Sequence, residues 1–133
     1  MPSQKRQFGD SGEEAAVQFL KKKGYRILER NFLQKGGEID IVAAKTRGLF
    51  GGKIEEIIFA EVKTISGDKK NSFLAAQNVH YFKKQRLIRT AQSYLWQKKI
   101  PSSTPWRIDV LLVARGASGT AEIEHLENAV WAK

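Results

Sequence analysis

GGEIDIVAAK, residues 36–45, is an apolar stretch with two acids set inside it. Ile39, Ile41, Val42 and Ala43 read as a strand, yet Glu38 and Asp40 stand among them. A carboxylate in an apolar setting is costly unless something pairs with it. Strand side chains alternate between faces, so Glu38, Asp40 and Val42 are expected to share one. The stretch therefore predicts a strand that asks for a cation.

Working outward, residues 25–33 form another strand candidate, with Gly36-Gly37 as the hairpin turn between the two. TRGLFGGK at 46–53, with three glycines, reads as a flexible loop. EEIIFAEVKT at 55–64 is the third strand. Before them a helix is expected from Ser11, because Ser11-Gly12-Glu13-Glu14 has the capping-box spacing with Glu14 at the third helical position. Ala16, Phe19 and Leu20 supply its apolar stripe, Gly24 its stop, and residues 1–9 a loose basic tail.

Beyond the strands, a long helix is expected over 73–98, with Leu87, Ile88, Ala91, Tyr94 and Leu95 recurring at helical intervals. IPSSTP, with two prolines, ends it. RIDVLLVA at 107–114 is a strongly apolar strand and AEIEHL at 121–126 a weaker one. The order helix, three strands, helix, two strands predicts an α/β layout with a mixed central sheet flanked by helices. No repeat, low-complexity tract or linker divides the chain, so residues 1–133 are expected to form one domain.

The chain carries 23 Lys and Arg against 14 Asp and Glu, a formal net charge of +9. So basic a small domain suits a polyanion, of which nucleic acid is the commonest; a merely soluble basic surface is the plainer alternative. No apolar run approaches the roughly 20 residues of a membrane-spanning helix. MPSQKRQFGDSGEE lacks the apolar core of a signal peptide, and there is no cysteine. These features point away from a membrane and toward the cytoplasm.

In the third strand Phe59, Glu61 and Lys63 share a face, while Ala60 and Val62 point the other way. If the second and third strands are neighbours, one register sets Asp40 beside Glu61 and Lys63. Two carboxylates with a lysine make a site for magnesium, or manganese, which take hard oxygen ligands. The lysine can hold a water nucleophile or offset charge building on a phosphate. On a wheel of about 100° per residue, Glu13 falls about 60° from Ala16 and about 20° from Leu20, on the inward side, whereas Glu14 falls near the opposite one. The plain alternatives are a half-exposed strand for Glu38 and Asp40, a surface pair for Glu61 and Lys63, and a helix-dipole preference for Glu13. All four fall where one site could use them.

The ordered set Glu13, Asp40, Glu61-Val62-Lys63 resembles the PD-(D/E)xK nuclease signature of restriction-endonuclease-like folds. The whole chain resembles the YraN family of predicted bacterial nucleases, through GEEAAVQFLKKKGYRILERN, GGEIDIVAA, FAEVKT, KKQRLIRTAQSYL, RIDVLLVA and IEHLENAVW, in the family's order over residues 12–131. That family is in turn similar to archaeal Holliday-junction resolvases. The resemblance implies a restriction-endonuclease-like fold and a metal-dependent phosphodiesterase acting on DNA. Glu13, Asp40 and Glu61 would hold Mg2+ or Mn2+, and Lys63 would be the catalytic lysine; the junction-resolvase likeness adds a homodimer. The segment between Asp40 and Glu61 is longer than the family's usual hairpin, and Thr64-Ile65 stands where the family tends to carry an arginine.

Lys69 and Lys70, and on the long helix Lys83, Lys84, Arg86 and Arg89, read either as phosphate contacts or as a solvated face, with Lys83 at a matching family position. Glu38 and Gln77 are candidates to support the ligands from behind; Gln77 and Tyr81 have the Q-x-x-x-Y spacing of RecB-type nucleases. His80 is an acid-base candidate or incidental. Trp96, Trp106 and Trp131 could stack on bases, core or dimer contacts being the preferred use of Trp106 and Trp131. Asp109 is expected to pair structurally with Arg107, and His125 has no partner at metal-ligand spacing. The rivals to a DNA endonuclease are a non-catalytic nucleic-acid-binding module and an interaction subunit serving DNA repair or uptake.

Overall fold

The computed structural model of the chain describes residues 4–48, 51–66, 81–115 and 120–130. Its elements are α1 (Gln4–Lys22), β1 (Arg26–Gln34), β2 (Gly37–Arg47), β3 (Lys53–Ser66), α2 (Tyr81–Gln97), β4 (Trp106–Arg115) and β5 (Ala121–Leu126). The five strands form one mixed sheet in chain order, β1-β2-β3-β4-β5. β1, β2 and β3 pair antiparallel, β3 and β4 pair parallel, and β5 returns antiparallel to β4. A parallel pair needs a crossover, and α2 lies in the stretch that makes it.

The two helices cover opposite faces. Ala16, Val17 and Leu20 of α1 pack with Ile41, Ala43, Ile58, Ala60, Leu111 and Val113. Leu87, Ala91 and Tyr94 of α2 pack with Val42, Phe59, Val110 and Leu112. Covered on both faces, each central strand carries a continuous apolar run at its middle, residues 57–60 in β3 and 110–114 in β4. Phe59 stacks edge-on against both Tyr94 and Trp106, which places Trp106 against the core.

Several sequence expectations shift. α1 begins at Gln4, not Ser11, so residues 4–9 are helical and the expected loose tail is corrected. Gln, Lys and Arg are good helix formers, and two separated glycines, Gly9 and Gly12, do not stop a helix anchored by a buried face. Glu14 is then mid-helix and does not cap; it accepts from Gln18 Nε2 (3.0 Å) and pairs with Arg30 Nη1 (2.9 Å). α1 ends at Lys22 and is closed by the expected Gly24, whose N–H donates to Lys21 O while Tyr25 N–H donates to Leu20 O, both at 3.0 Å. The first hairpin turns at Lys35-Gly36, with Gly37 already paired to Gln34. The expected loop at 46–53 is trimmed at its ends, because β2 runs to Arg47 and β3 starts at Lys53; Gly48, Gly51 and Gly52 stand outside the strands, and residues 49–50 lie outside the described ones. Residues 73–80 of the helix expected over 73–98, with Gln77 and His80, lie outside the described residues, as do Lys69 and Lys70 of the loop before it and Trp131.

Candidate active site

Strict alternation fails at Asp40. Ile39 and Val42 both pack on the α2 side, while Ile41 packs on the α1 side. Across from this point Asn31 adopts a left-handed conformation, φ 53°. Glu38, Asp40 and Val42 therefore do not simply share a face, and the sequence expectation is corrected. The β2–β3 ladder stops here too: its last pair is Ile41 with Ala60, so the next pair in that register would set Asp40 opposite Glu61. In place of a ladder bond, Val62 N–H donates to Asp40 Oδ2 at 2.8 Å. The carboxylate fills the gap where the strands part.

β3 continues past the parting beside β4. Glu61 and Lys63 pair in register with Val110 and Leu112, both on the α2 side, so their side chains belong to that face. Glu61 is 14% exposed and pairs with Lys83 Nζ at 2.7 Å. Lys83, read from the sequence either as a phosphate contact or as part of a solvated face, stands here as the counter-cation of Glu61. Lys63 is half-buried two residues further along.

Glu13 reaches the same place from the other face. It lies on the stripe Glu13, Ala16, Val17, Leu20, whose last three members are buried against the sheet. Gly12 beside it makes the approach feasible, since a Cβ there would overlap the Thr64 hydroxyl of β3. A second close approach sets α2: a Cβ at Gly37 would overlap the Thr90 hydroxyl, which donates to Arg86 O at 2.7 Å. Two small residues thus bring both helices down onto the parting of β2 and β3.

The electrostatics are those of crowded acids. Burial, then the charge of Glu61, push the Asp40 carboxyl up to about 7; Glu13 and Glu38 push the same way, and the Val62 N–H only partly opposes them. A cleft of about 590 Å³ opens from Asp40 and Glu61 toward the α2 side, lined also by Leu33, Glu38, Lys83 and Arg86. Glu38 is exposed at its rim. Lys84 is half-buried on α2 and does not line the cleft.

The donors are all oxygens, which suits a hard divalent cation, and a cation beside Asp40 would relieve the repulsion that lifts its proton affinity. Among the described residues, however, no three His, Asp or Glu side chains stand in a ready-made metal-holding group. The fit is one of donor chemistry and charge, with Lys83 standing beside Glu61 as a cation of the protein's own.

A second polar cluster was only half legible. Asp109 is fully buried on β4 and accepts from Arg107 Nε (2.9 Å) and the Asn128 N–H (2.8 Å). His125 Nε2 lies 2.6 Å from its other oxygen. Burial alone would raise this carboxyl, but His125, Arg107 and the Asn128 amide together hold it below its ordinary value. Arg107 also donates to Glu56 Oε1 (2.8 Å) and Tyr25 Oη (3.0 Å). The expected Arg107–Asp109 pair is present; His125 joins it by a strand pairing beside Leu111 that no local spacing announces.

A mixed-sheet α/β domain with an acidic cluster and E-x-K where two central strands part is the class that fold and site define. Within it, the chain belongs to the Uncharacterised protein family UPF0102, the YraN family, whose model matches residues 12–113. UPF0102 proteins of Chloroflexus aurantiacus and Roseiflexus castenholzii are 34% and 35% identical to it, each alignment covering 98% of both chains. One from Caldicellulosiruptor saccharolyticus is 39% identical over 82% of this chain and 83% of its own. Among solved structures, Pyrococcus furiosus SfsA in complex with Ca2+ aligns at TM-score 0.34 and 15% identity, over 92% of this chain and 63% of that one. No helix among the described residues is long and apolar enough to cross a membrane.

Proposed function

We propose that the protein is a metal-dependent endonuclease that hydrolyses DNA phosphodiester bonds in the cleft at Asp40. One observation carries this reading: a half-buried aspartate whose proton affinity is raised toward neutrality by burial and then by the charge of Glu61, with Glu13 and Glu38 adding to it and Lys63 on the same strand as Glu61. Such crowding is costly unless a cation is shared among the acids.

Asp40, Glu61 and Glu13 would hold Mg2+ or Mn2+. When bound, the ion supplies Lewis-acid polarisation of a phosphate oxygen and acidifies water. Lys63 orients the attacking water or offsets charge building on the phosphate. Water adds to phosphorus as the bond to the leaving oxygen breaks, giving a phosphate monoester and a free hydroxyl. Lys83 and Arg86, at the cleft, hold flanking phosphates, and the formal charge of +9 draws DNA in.

The test is incubation with supercoiled plasmid, single strands and a four-way junction, in magnesium, manganese or EDTA, with Asp40→Ala and Glu61→Ala alongside. Metal-dependent cutting that both variants lose supports the reading. Equal cutting by the variants refutes it. Salt-sensitive binding without any cutting favours the non-catalytic module, a reading encouraged by the Lys83–Glu61 pair, which already supplies a cation.

A further inference from the structure

Among the described residues only two large apolar side chains are strongly exposed, Leu33 at 73% and Trp96 at 82%. They flank a single contact: Gln34, next to Leu33 at the end of β1, accepts from Gln97 Nε2, next to Trp96 at the end of α2, at 3.5 Å. Leu33 also lines the acidic cleft together with Arg86. Along α2, Arg86, Arg89, Ser93 and Trp96 recur at three- and four-residue intervals and so share one side of the helix, away from the buried Leu87, Ala91 and Tyr94. Arg86, Arg89 and Trp96 are all exposed. At about 1.5 Å per residue, the ridge from Arg86 to Trp96 is about 15 Å long, the reach of a few nucleotides.

We propose that this ridge is a track for an unpaired DNA strand leading into the cleft, so that the substrate is DNA with a single-stranded arm beside a duplex. The inference rests on the nucleic-acid reading above and narrows its substrate class. A guanidinium pair grips successive phosphates, and an open indole offers a stacking platform that accepts any base. Leu33, an apolar side chain at a hairpin end between the ridge and the acids, is placed to wedge against the last stacked base pair. A duplex offers no free base face to Trp96; an unpaired arm does. The positive ridge favours this polyanionic occupant over a second copy of the chain, which carries the same charge.

The test is fluorescence anisotropy in EDTA with three labelled probes: a single strand, a blunt duplex, and the same duplex with a single-stranded overhang. The single strand and the overhang duplex are expected to bind about tenfold tighter than the blunt duplex. Trp96→Ala should weaken them about tenfold and leave the blunt duplex unchanged, while Trp96→Phe keeps most of the affinity. Arg86→Gln and Arg89→Gln should each reduce the salt slope by about 0.7 for the single strand. Equal affinity for all probes, or no effect of Trp96→Ala, overturns the track. So does a Trp96→Ala variant that changes only the sedimentation of the free protein, which would make the patch a self-association surface. Because EDTA removes any metal chemistry, discrimination without later cutting upholds the track and sinks the hydrolytic reading. Cutting that is indifferent to Trp96 does the reverse.

Discussion

Val62 N–H donates to Asp40 Oδ2 at 2.8 Å, at the point where the β2–β3 ladder ends. The bond does two jobs. It satisfies an amide that would otherwise lack its strand partner, and it fixes a carboxylate in the gap between Glu13 on one face and Glu61 on the other. The acidic site is thus built from a defect in the sheet, and its consequences can be measured.

Asp40 should make stability fall with rising pH. Its folded-state value is about 7 against an ordinary 3.8, so the folded protein holds this proton more tightly than the unfolded chain. The linked stability is fully present below about pH 4 and is lost as pH rises through about 7. Asp40→Asn, which keeps an oxygen for Val62 N–H, should match wild type near pH 4 and exceed it by a few kcal/mol at most above about pH 7. Urea unfolding from pH 4 to 8.5 checks this. A gap that does not widen with pH would contradict it.

Gly12 should tolerate no side chain. Gly12→Ala sets a Cβ into the Thr64 hydroxyl and should cost about 1–3 kcal/mol as α1 is pushed from β3. Thr64→Ala removes the obstructing atoms, so the double variant should recover most of the loss. Chemical denaturation of the four proteins in the cycle gives the coupling directly, and simple additivity would deny the close approach.

Lys83 should compete with divalent ions for Glu61. With the ammonium gone from its 2.7 Å contact, Lys83→Gln should bind Mn2+ about three- to tenfold tighter, if the pair is worth the upper range of a partly exposed bridge. The same variant should bind DNA more weakly at low salt. Thermal shift with and without Mn2+ reads the first effect; a smaller Mn2+ response than wild type would show that Lys83 supports the ion.

Asp109 should matter for stability and little for the cleft. Asp109→Ala strips Arg107 of a buried partner and leaves His125 and the Asn128 amide unsatisfied, a loss of about 3–5 kcal/mol. Urea midpoints test the size.

The element order and the layered mixed sheet were legible because β3 and β4 announce themselves as apolar runs and α1 and α2 as periodic stripes. Glu13, Asp40 and Glu61 stood out as candidates because acids set in apolar stretches are conspicuous, and Lys63 because of the E-x-K spacing; the structure sets Glu13 and Glu61 near enough to Asp40 for their charges to act on it. What failed depended on partners distant in sequence. The capping-box reading of Ser11 and Glu14 lost to a longer helix in which Arg30 takes Glu14. Simple alternation through Asp40 lost to the parting of two strands. Lys83 as the partner of Glu61, and His125 as the partner of Asp109, come from tertiary pairings across 22 and 16 residues, which local spacing does not reveal.

The central claim is that the charge wanting beside Asp40 is a divalent cation. Calorimetric titration of Mn2+ into the protein at pH 8 tests it most directly. Saturable binding by wild type, lost on Asp40→Asn and Glu61→Gln while both variants keep their fold, is the result predicted. No binding by wild type, or equal binding by all three, would contradict it.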